Sequence, residues 1–363
     1  MTIRRIAALL LMLLVAIPAE AKRKVIIDDE GFGLMHMMLL ADPDVEVLGI
    51  TTVSGNVWVN RATAQALRGL EIVGRRDVPV VPGATYPLVN TEAATERWEA
   101  LYGKLTWKGA WMKAWAEPTV QSTPPYHRPD DPVDLPWGNP TMKPADEIAA
   151  NFLIRMVHRY PGEVTIIEGG PMTNLALAQR LDPAFAGLAR ELVYMGGSLN
   201  PQRVRDDRSA RDFAREFVNT PRREFNIRFD PEAASIVSRS PWRAITVVPV
   251  DPSTATQLTR ALRDRLAAAA TPEVARFVAR MEPGFPMWDE LAAAVWLDPG
   301  VVTARERLYV DYDTMFGPNY GDLLSWHAAY RPGLGEQPAD VVRAIDPARM
   351  EALIVREVAR LGR

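Results

Sequence analysis

The chain has 363 residues, of which 48% are hydrophobic and 24% charged, with a formal net charge of -3 and a pI near 5.9. This composition is typical of a globular protein with a sizeable core. A weakly acidic chain without a basic tract lacks the positive surface that binds nucleic acid, and the absence of cysteine excludes a disulfide framework.

The first 21 residues have the pattern of a secretory signal peptide. Two arginines precede an uninterrupted apolar run (residues 6–17), and residues 19–21 have the small-x-small form of a cleavage site. The run is shorter than the roughly 20 apolar residues that a membrane span requires. We therefore predict a signal peptide at residues 1–21 and a mature protein that is exported, periplasmic or secreted, and not held in a membrane.

Apolar runs rich in β-branched residues alternate with segments of helical spacing along the mature chain. The predicted strands, in chain order, are Val25–Ile27, Val45–Val53, Val78–Val81, Val164–Ile167, Leu192–Met195, Ile245–Val250 and Leu308–Val310. Strands that alternate with helices indicate parallel βαβ units. We predict a single α/β domain over residues 22–363 with a mainly parallel, doubly wound sheet. Ligands of such sheets bind beyond the carboxyl ends of the strands.

Two of the intervening segments show clear helical spacing. In the first, Asn60 is the predicted N-cap and Gly74 is placed to end the helix. In the second segment, Pro144 is suited to the first turn of the predicted helix. The apolar residues that repeat at every fourth position of this second segment are Ile148, Phe152 and Met156. The proline-rich stretch 98–143 and the polar stretch 198–223 predict long loops over the edge of the sheet.

Three consecutive acids, Asp28, Asp29 and Glu30, follow the first predicted strand. Like charges this close repel and raise one another's pKa. Either a solvated turn or a bound hard cation would accommodate them. Their position at a strand end favours a binding site.

Five segments resemble the nucleoside hydrolase family in the expected order. They span residues 45–88, 161–183, 192–197, 223–234 and 288–299, and include the motifs GGPMTN, LVYMGG, REFNIRFDPEAA and WDELAAAVWLDP. The resemblance covers nearly all of the mature chain. It implies an α/β fold, a calcium ion at the carboxyl edge of the sheet, and hydrolysis of the N-glycosidic bond of a ribonucleoside, with the oligomeric state (a homo-oligomer included) left open.

In this family the first strand ends in an Asp-x-Asp-Pro-Gly-x-Asp-Asp motif. The resemblance implies that Asp28 is its first acid, and that Asp29 or Glu30, depending on the register, is the second acid and activates the water. The closing pair of aspartates is absent, because Gly33 and Leu34 lie near its place.

Two further calcium ligands are implied by the same resemblance. They are the backbone carbonyl of Thr173 and the carboxylate of Asp289, for which the alternative roles are a turn threonine and a helix N-cap.

The expected base-binding side of the site is aromatic. Trp288 stands where many family members have histidine as the acid for the leaving base. Members resembling the purine-preferring inosine–adenosine–guanosine type have tryptophan at this position, as this chain does. An indole stacks on a base with roughly 1–3 kcal/mol. Trp107, Trp111 and Trp115 repeat every fourth residue, so a helix would place them on one face. They form either a second wall for the base or a hydrophobic lid or core patch.

The ribose is expected to meet polar side chains that match sugar-contacting positions of the family. These are Asn56, Glu224 and Asn226, together with Asn219, which lies one position away from a further ribose-binding asparagine. Capping of turns and strand ends is the alternative role for Asn56, Glu224 and Asn226. His36 and His158 sit in helical apolar patterns and are predicted to be packing residues.

Three functional hypotheses follow. The first is an exported, calcium-dependent purine nucleoside hydrolase. The second is a catalytically impaired relative that binds a nucleoside or ribose, motivated by the absent aspartate pair. The third is a hydrolase that uses a strand-end aspartate as nucleophile, as phosphatases with Asp-x-Asp-x-Thr do, although Phe32 occupies the threonine position.

Overall fold

The computed structural model of the protein describes residues 21–119, 121–123, 125–199 and 224–361. The strands in these residues are β1 (Arg23–Asp29), β2 (Val45–Thr52), β3 (Val80–Pro82), β4 (Val164–Glu168), β5 (Glu191–Met195), β6 (Ile245–Val248), β7 (Val302–Tyr312), β8 (Leu323–Trp326) and β9 (Gln337–Ile345). They form one nine-stranded sheet in the order β3-β2-β1-β4-β5-β6-β9-β7-β8. The sheet is parallel from β3 to β9, and β7 pairs antiparallel with both β8 and β9. The predicted mainly parallel α/β sheet is confirmed.

Helices connect the strands and cover both faces. They are α1 (Leu34–Ala41), α2 (Val59–Ile72), α3 (Glu92–Tyr102), α4 (Ala149–Arg159), α5 (Thr173–Leu181), α6 (Phe185–Leu188), α7 (Phe225–Phe229), α8 (Pro231–Ser238), α9 (Val250–Ser253), α10 (Arg260–Ala269), α11 (Pro272–Val278), α12 (Trp288–Leu297) and α13 (Pro347–Val358). Short 3-10 helices lie at Gly109–Trp111, Pro299–Val301 and Ala328–Tyr330. None of the described helices is both long and apolar enough to cross a membrane. The predicted signal sequence falls almost entirely outside the described residues.

The core lies on both faces of the sheet. Successive side chains of a strand point to opposite faces, so Val25 and Ile27 of β1 enter one apolar cluster and Ile26 enters the other. Helices α1, α12 and α13 supply the first cluster, and α4, α5 and α8 supply the second. Because β1 and β4 are buried on both sides, they are continuous apolar runs that the sequence reveals easily.

The last third of the sheet departs from the predicted elements. The strand predicted over Ile245–Val250 ends at Val248, because Pro249 precedes the short helix α9. Strand β7 is far longer than the predicted Leu308–Val310, and its first half is mostly exposed. Strands β8 and β9 were not predicted, since their sequences mix polar and apolar residues and both strands are only partly buried.

Two predicted helix starts are wrong. Helix α2 begins at Val59, whose backbone N–H donates to the Ser54 hydroxyl at 2.8 Å, so Asn60 is not the N-cap. Its end agrees with the prediction, because Gly74 adopts a φ of 74° directly after the helix. Helix α4 begins only at Ala149, which leaves Pro144 in the preceding loop.

The two predicted packing histidines differ. His36 is fully buried, as predicted, whereas the His158 side chain is 55% exposed. His158 lies 2.7 Å from Asp182, so the prediction of a packing role is wrong for this residue.

The proline-rich stretch 98–143, predicted to be a long loop, begins within α3 and is anchored near its end by Glu71 of α2. The Glu71 carboxylate accepts hydrogen bonds from the backbone N–H of Thr141 at 2.7 Å and of Met142 at 2.8 Å, and from the Thr141 hydroxyl. Near the middle of the stretch, the indole of Trp58 donates to the His127 carbonyl at 2.8 Å. The long segment is therefore tied to both ends of the helix that follows β2, by Trp58 at its start and by Glu71 in its last turn.

Candidate active site

Four buried acids meet at the carboxyl ends of β1 and β4. Asp28 and Asp29 are the last residues of β1 and Glu30 follows them, and Glu168 ends β4, directly beside Asp28 in the strand register. All four side chains are buried. Burial raises the pKa of all four carboxyls, and the neighbouring acids add to this effect at Asp28, Glu30 and Glu168.

Each acid of this cluster is held by one or two hydrogen bonds. Asn174 donates to one oxygen of Asp28 at 2.9 Å, Asn56 to Glu30 at 2.7 Å, and the Gly170 backbone N–H to Glu168 at 2.9 Å. The other carboxylate oxygen of Asp28, Glu30 and Glu168 is buried without a hydrogen-bond partner. Buried polar atoms without a partner are rare and point to a proton, a water or a ligand.

The histidine nearest these acids does not neutralise them. His36 Nδ1 lies 3.6 Å from Asp29 Oδ2. Burial lowers the pKa of His36 to about 3, so the imidazole is neutral. The Gly33 backbone N–H donates to the same nitrogen at 3.3 Å, which agrees with a neutral ring.

Glu168 is the acid of this cluster that the sequence reasoning missed. It follows a buried apolar strand, as Asp28 does, and this was the available signal. The signal becomes specific only when β1 and β4 are known to be neighbours in the sheet, because their ends then lie side by side.

A cavity of about 260 Å³ opens over this edge of the sheet. One part of its wall is polar and is formed by Glu30, Asn56, Glu224, Asn226 and Asp289. Another part is aromatic and is formed by Trp107, Trp115, Phe225, Phe285 and Trp288. One pocket thus brings together residues that follow β1 and β2, residues of the proline-rich stretch, and residues of α7 and α12. The pocket has room for a small ligand with one polar and one flat apolar part.

The polar wall is rigid where α7 begins. Glu224 is the N-cap of α7 and accepts from the backbone N–H of Asn226 at 2.9 Å and of Ile227 at 3.0 Å. Asn226 donates to the Gly169 carbonyl at 2.8 Å. Capping was the alternative role for Glu224, and the structure shows it as a capping residue that also lines the pocket. Asn219 lies outside the described residues.

Asp289 lies in the first turn of α12 and does not cap it, because the N-cap is Met287 and no side chain caps this helix. Burial raises the pKa of Asp289, and the charges of Asp29 and Glu290 raise it further. Asp289 and Glu30 are therefore two acids with raised pKa values in the same pocket, a feature typical of functional sites.

The aromatic wall contains two groups of rings. The ring centroids of Trp107 and Trp115 are 4.7 Å apart, and Phe225 meets Trp107 edge-on at 6.4 Å. Phe285 meets Trp288 at 6.1 Å. These offset and edge contacts are the geometries that aromatic pairs favour.

The three tryptophans do not share one face of a helix. Their segment contains a short 3-10 helix, Gly109–Trp111. Trp111 is only 4% exposed and stacks on Phe229 at 4.4 Å, so it packs in the core and does not line the pocket. Trp107 and Trp115 do line it, so a core role holds for Trp111 and a pocket role for the other two.

The predicted calcium ligands are only partly brought together. Glu30 and Asp289 reach the pocket, whereas Asp28, Asp29 and Thr173 lie buried behind its wall, and the Thr173 hydroxyl donates to Asp230 at 2.6 Å. The unpartnered carboxylate oxygens are the hard donors that calcium takes. Yet within the part of the chain that the structure describes, no three acidic or histidine side chains form a set that could hold a metal ion. The donor chemistry fits a hard cation, and the calcium site stays a prediction.

Comparison with known protein families gives a match over most of the chain. The family model described as inosine-uridine preferring nucleoside hydrolase matches residues 25–352. A curated relative, uridine nucleosidase 1 of Arabidopsis thaliana, is 36% identical over 238 residues. That alignment covers 65% of this chain and 58% of the plant protein, which is less than two thirds of its length.

Solved structures show the same fold. A purine-preferring ribonucleoside hydrolase from Gardnerella vaginalis superposes with a TM-score of 0.68 at 22% identity, covering 93% of this chain and 98% of that protein. A plant nucleoside hydrolase gives a TM-score of 0.67 at 23% identity, covering 93% and 99%.

Proposed function

Because the chain belongs to the inosine-uridine preferring nucleoside hydrolase family, as its motifs predicted, we propose that it hydrolyses the N-glycosidic bond of ribonucleosides in the pocket above β1 and β4. The observation that carries the proposal is the division of this pocket into a wall of carboxylates and amides and a wall of aromatic rings. A ribonucleoside has the same two parts, a polyhydroxylated sugar and a flat base.

Cleavage of the bond places positive charge on the sugar and negative charge on the departing base. We assign the general base that takes a proton from the attacking water to Glu30, which lines the pocket and has one unpartnered oxygen. Burial and the neighbouring acids raise its pKa, and a carboxylate with a raised pKa is a stronger base. Glu224 and Asn226 are assigned to the ribose hydroxyls.

The preferred base is proposed to be a purine. Trp288 lies in the aromatic wall at the position of a proton-donating histidine in many family members, and no histidine is among the residues that form the described pocket. An indole cannot protonate the leaving base, but it can stack on it, and a purine offers the larger ring system. The named relatives include a uridine nucleosidase as well as a purine-preferring hydrolase, so base preference is open to direct test.

We further propose that the site takes a calcium ion. Asp28, Asp29, Glu30, Asp289 and the Thr173 carbonyl are the groups that would hold it. When bound, a hard divalent cation supplies acidity to a water molecule and affinity for vicinal hydroxyls.

The test is release of ribose from inosine, guanosine and uridine by the purified protein, with added calcium and with chelator. We expect turnover, a higher kcat/KM for the two purine nucleosides, and loss of activity in chelator that calcium restores. Undiminished turnover in chelator would exclude the calcium proposal, and a preference for uridine would exclude the purine proposal.

A second candidate function is binding without hydrolysis. It is favoured by the missing aspartate pair and by the absence, within the described residues, of a complete metal-binding set. Calorimetry on the same nucleosides separates the two functions. Tight binding of inosine or ribose by a protein that releases no ribose supports the second candidate.

We also propose that the protein is exported. The support is the amino-terminal pattern of arginines, apolar run and small-x-small site. Mass determination of the mature protein and fractionation of expressing cells test this proposal. A product that keeps residues 1–21 and stays in the cytoplasmic fraction would contradict it.

A further inference from the structure

We propose that Trp107 is a positioning residue that sets the orientation of Glu30 through Asn56. The inference rests on the proposed function, and it adds a link between the aromatic wall that holds the base and the acid that serves the reaction. Neither Trp107 nor Asn56 takes part in bond breaking in this account. Their contribution is to hold one carboxylate.

The link consists of two short hydrogen bonds in series. The indole Nε1 of Trp107 donates to Asn56 Oδ1 at 2.6 Å, and Asn56 Nδ2 donates to Glu30 Oε1 at 2.7 Å. An indole N–H is a donor only, and an ionised carboxylate is an acceptor only. These two partners therefore determine which end of the Asn56 amide faces Glu30.

Glu30 has little freedom apart from this bond. Its Oε2 atom is buried without a hydrogen-bond partner and lies in a corner formed by two glycines. A Cβ atom at Gly55 would lie 2.9 Å from this oxygen, and one at Gly170 would lie 2.3 Å from it. Because Asn56 occupies Oε1, Oε2 is the carboxylate oxygen that is left without a hydrogen bond.

A backbone contact supports the same link. The Ala110 N–H, three residues after Trp107, donates to the Gly55 carbonyl at 2.8 Å. The neighbouring Gly109 has a φ of 55°, and a Cβ atom there would lie 2.3 Å from the Gly55 carbonyl oxygen. The segment that carries Trp107 is thus docked on the turn that carries Asn56, at a point where only glycine fits.

The same indole forms part of the base-binding wall. Its ring packs on Trp115 at 4.7 Å and lines the pocket together with Trp288. A flat ring bound against Trp107 therefore restrains the indole, the indole restrains Asn56, and Asn56 restrains Glu30. Binding energy from the base is in this way used to orient the acid, and such energy appears in kcat and not only in KM.

The test compares Trp107→Phe with Trp115→Phe. Both variants keep an aromatic ring in the same stack and lose one indole N–H. The N–H of Trp115 donates to the Ser122 carbonyl at 3.4 Å, away from Glu30. We expect kcat for inosine to fall at least about tenfold further in Trp107→Phe than in Trp115→Phe, since misplacing a reacting group by about 1 Å costs up to about 10²-fold. We expect the inosine Kd, measured by calorimetry, to change by a similar small factor in both.

A double-variant cycle tests whether Trp107 acts on Glu30 through Asn56. Combining Trp107→Phe with Asn56→Ala is expected to lower kcat no further than Asn56→Ala alone. Equal loss of kcat in Trp107→Phe and Trp115→Phe, or independent losses in the double variant, would overturn the inference while leaving the hydrolase proposal intact.

A readout that needs no turnover covers the case in which the wild-type protein binds nucleosides without hydrolysing them. The indole N–H resonances of 15N-labelled protein are assigned by the two Trp→Phe variants. In Asn56→Ala we expect the Trp107 resonance to shift strongly and the Trp115 resonance to move much less. An unmoved Trp107 resonance would show that the link does not exist.

Discussion

Gly170 is the position where a single methyl group most directly tests the geometry of the site. Its nearest neighbour is the unpartnered oxygen of Glu30, and Gly170→Ala would place a Cβ atom 2.3 Å from that oxygen. Ordinary contacts begin at 3.4 Å, so the carboxylate must retreat by about 1 Å. The γ-methyl of Val53, 3.0 Å from the same Cβ, leaves little room for the backbone to move instead.

The expected effect on activity is large and the effect on stability moderate. Displacing a reacting group by about 1 Å lowers kcat by on the order of 10²-fold. Overpacking of this kind costs about 1–3 kcal/mol of unfolding free energy. The two effects are measured separately, by initial rates of ribose release from inosine and by urea unfolding followed by circular dichroism.

Gly187→Ala is the matched control. Gly187 lies in α6, and the nearest atom to an added Cβ there is the Pro241 carbonyl oxygen at 3.7 Å. We expect this variant to keep wild-type kcat and to be slightly more stable, because alanine favours a helix over glycine by about 1 kcal/mol. Wild-type kcat in Gly170→Ala, with the fold intact, would refute the assignment of Glu30 to the reaction.

Two further predictions concern stability and substrate affinity. Burial opposes ionisation of Glu71, but hydrogen bonds from Thr141, Met142 and Arg68 lower its pKa from 4.5 to about 2. Glu71 therefore stabilises the fold above pH 4.5, and this contribution, about 3 kcal/mol, is lost as the pH falls toward 2. Urea unfolding of Glu71→Gln across this range should show lower stability at neutral pH and a flatter pH dependence; an unchanged curve would contradict the anchoring role. Trp288→Leu keeps apolar volume but loses the stacking face, so the KM for inosine should rise by roughly tenfold, with a smaller rise for uridine; equal rises would contradict stacking on the purine.

The sequence predicts the first half of the sheet better than the second half. Strands β1, β2, β4 and β5 are buried on both faces, so their apolar runs are visible without any knowledge of the fold. Strand β9 contains Pro338, Asp340 and Arg343, none of which is buried, and its pairing depends on distant partners. No local pattern carries that information.

The site residues that a local pattern marks were predicted from the sequence, and the one that depends on a distant neighbour was missed. Asp28, Asp29 and Glu30 are recognisable from the chain alone, since they follow a buried strand. Glu168 was missed because a single acid at a strand end also suits a solvated turn, and only the adjacency of β1 and β4 distinguishes the two. The spacing of the tryptophans would place them on one face of a helix, but their segment contains only a short 3-10 helix, and Trp111 packs in the core.

The most direct test measures ribose release from inosine in phosphate-free buffer, where water is the nucleophile, by the wild-type protein and by Glu30→Gln. We expect the wild-type protein to release ribose, and Glu30→Gln to release it on the order of 10²-fold more slowly, with inosine binding retained in calorimetry. No ribose from the wild-type protein, or release by Glu30→Gln at the wild-type rate, would contradict the claim that this pocket hydrolyses nucleosides with Glu30 as its base.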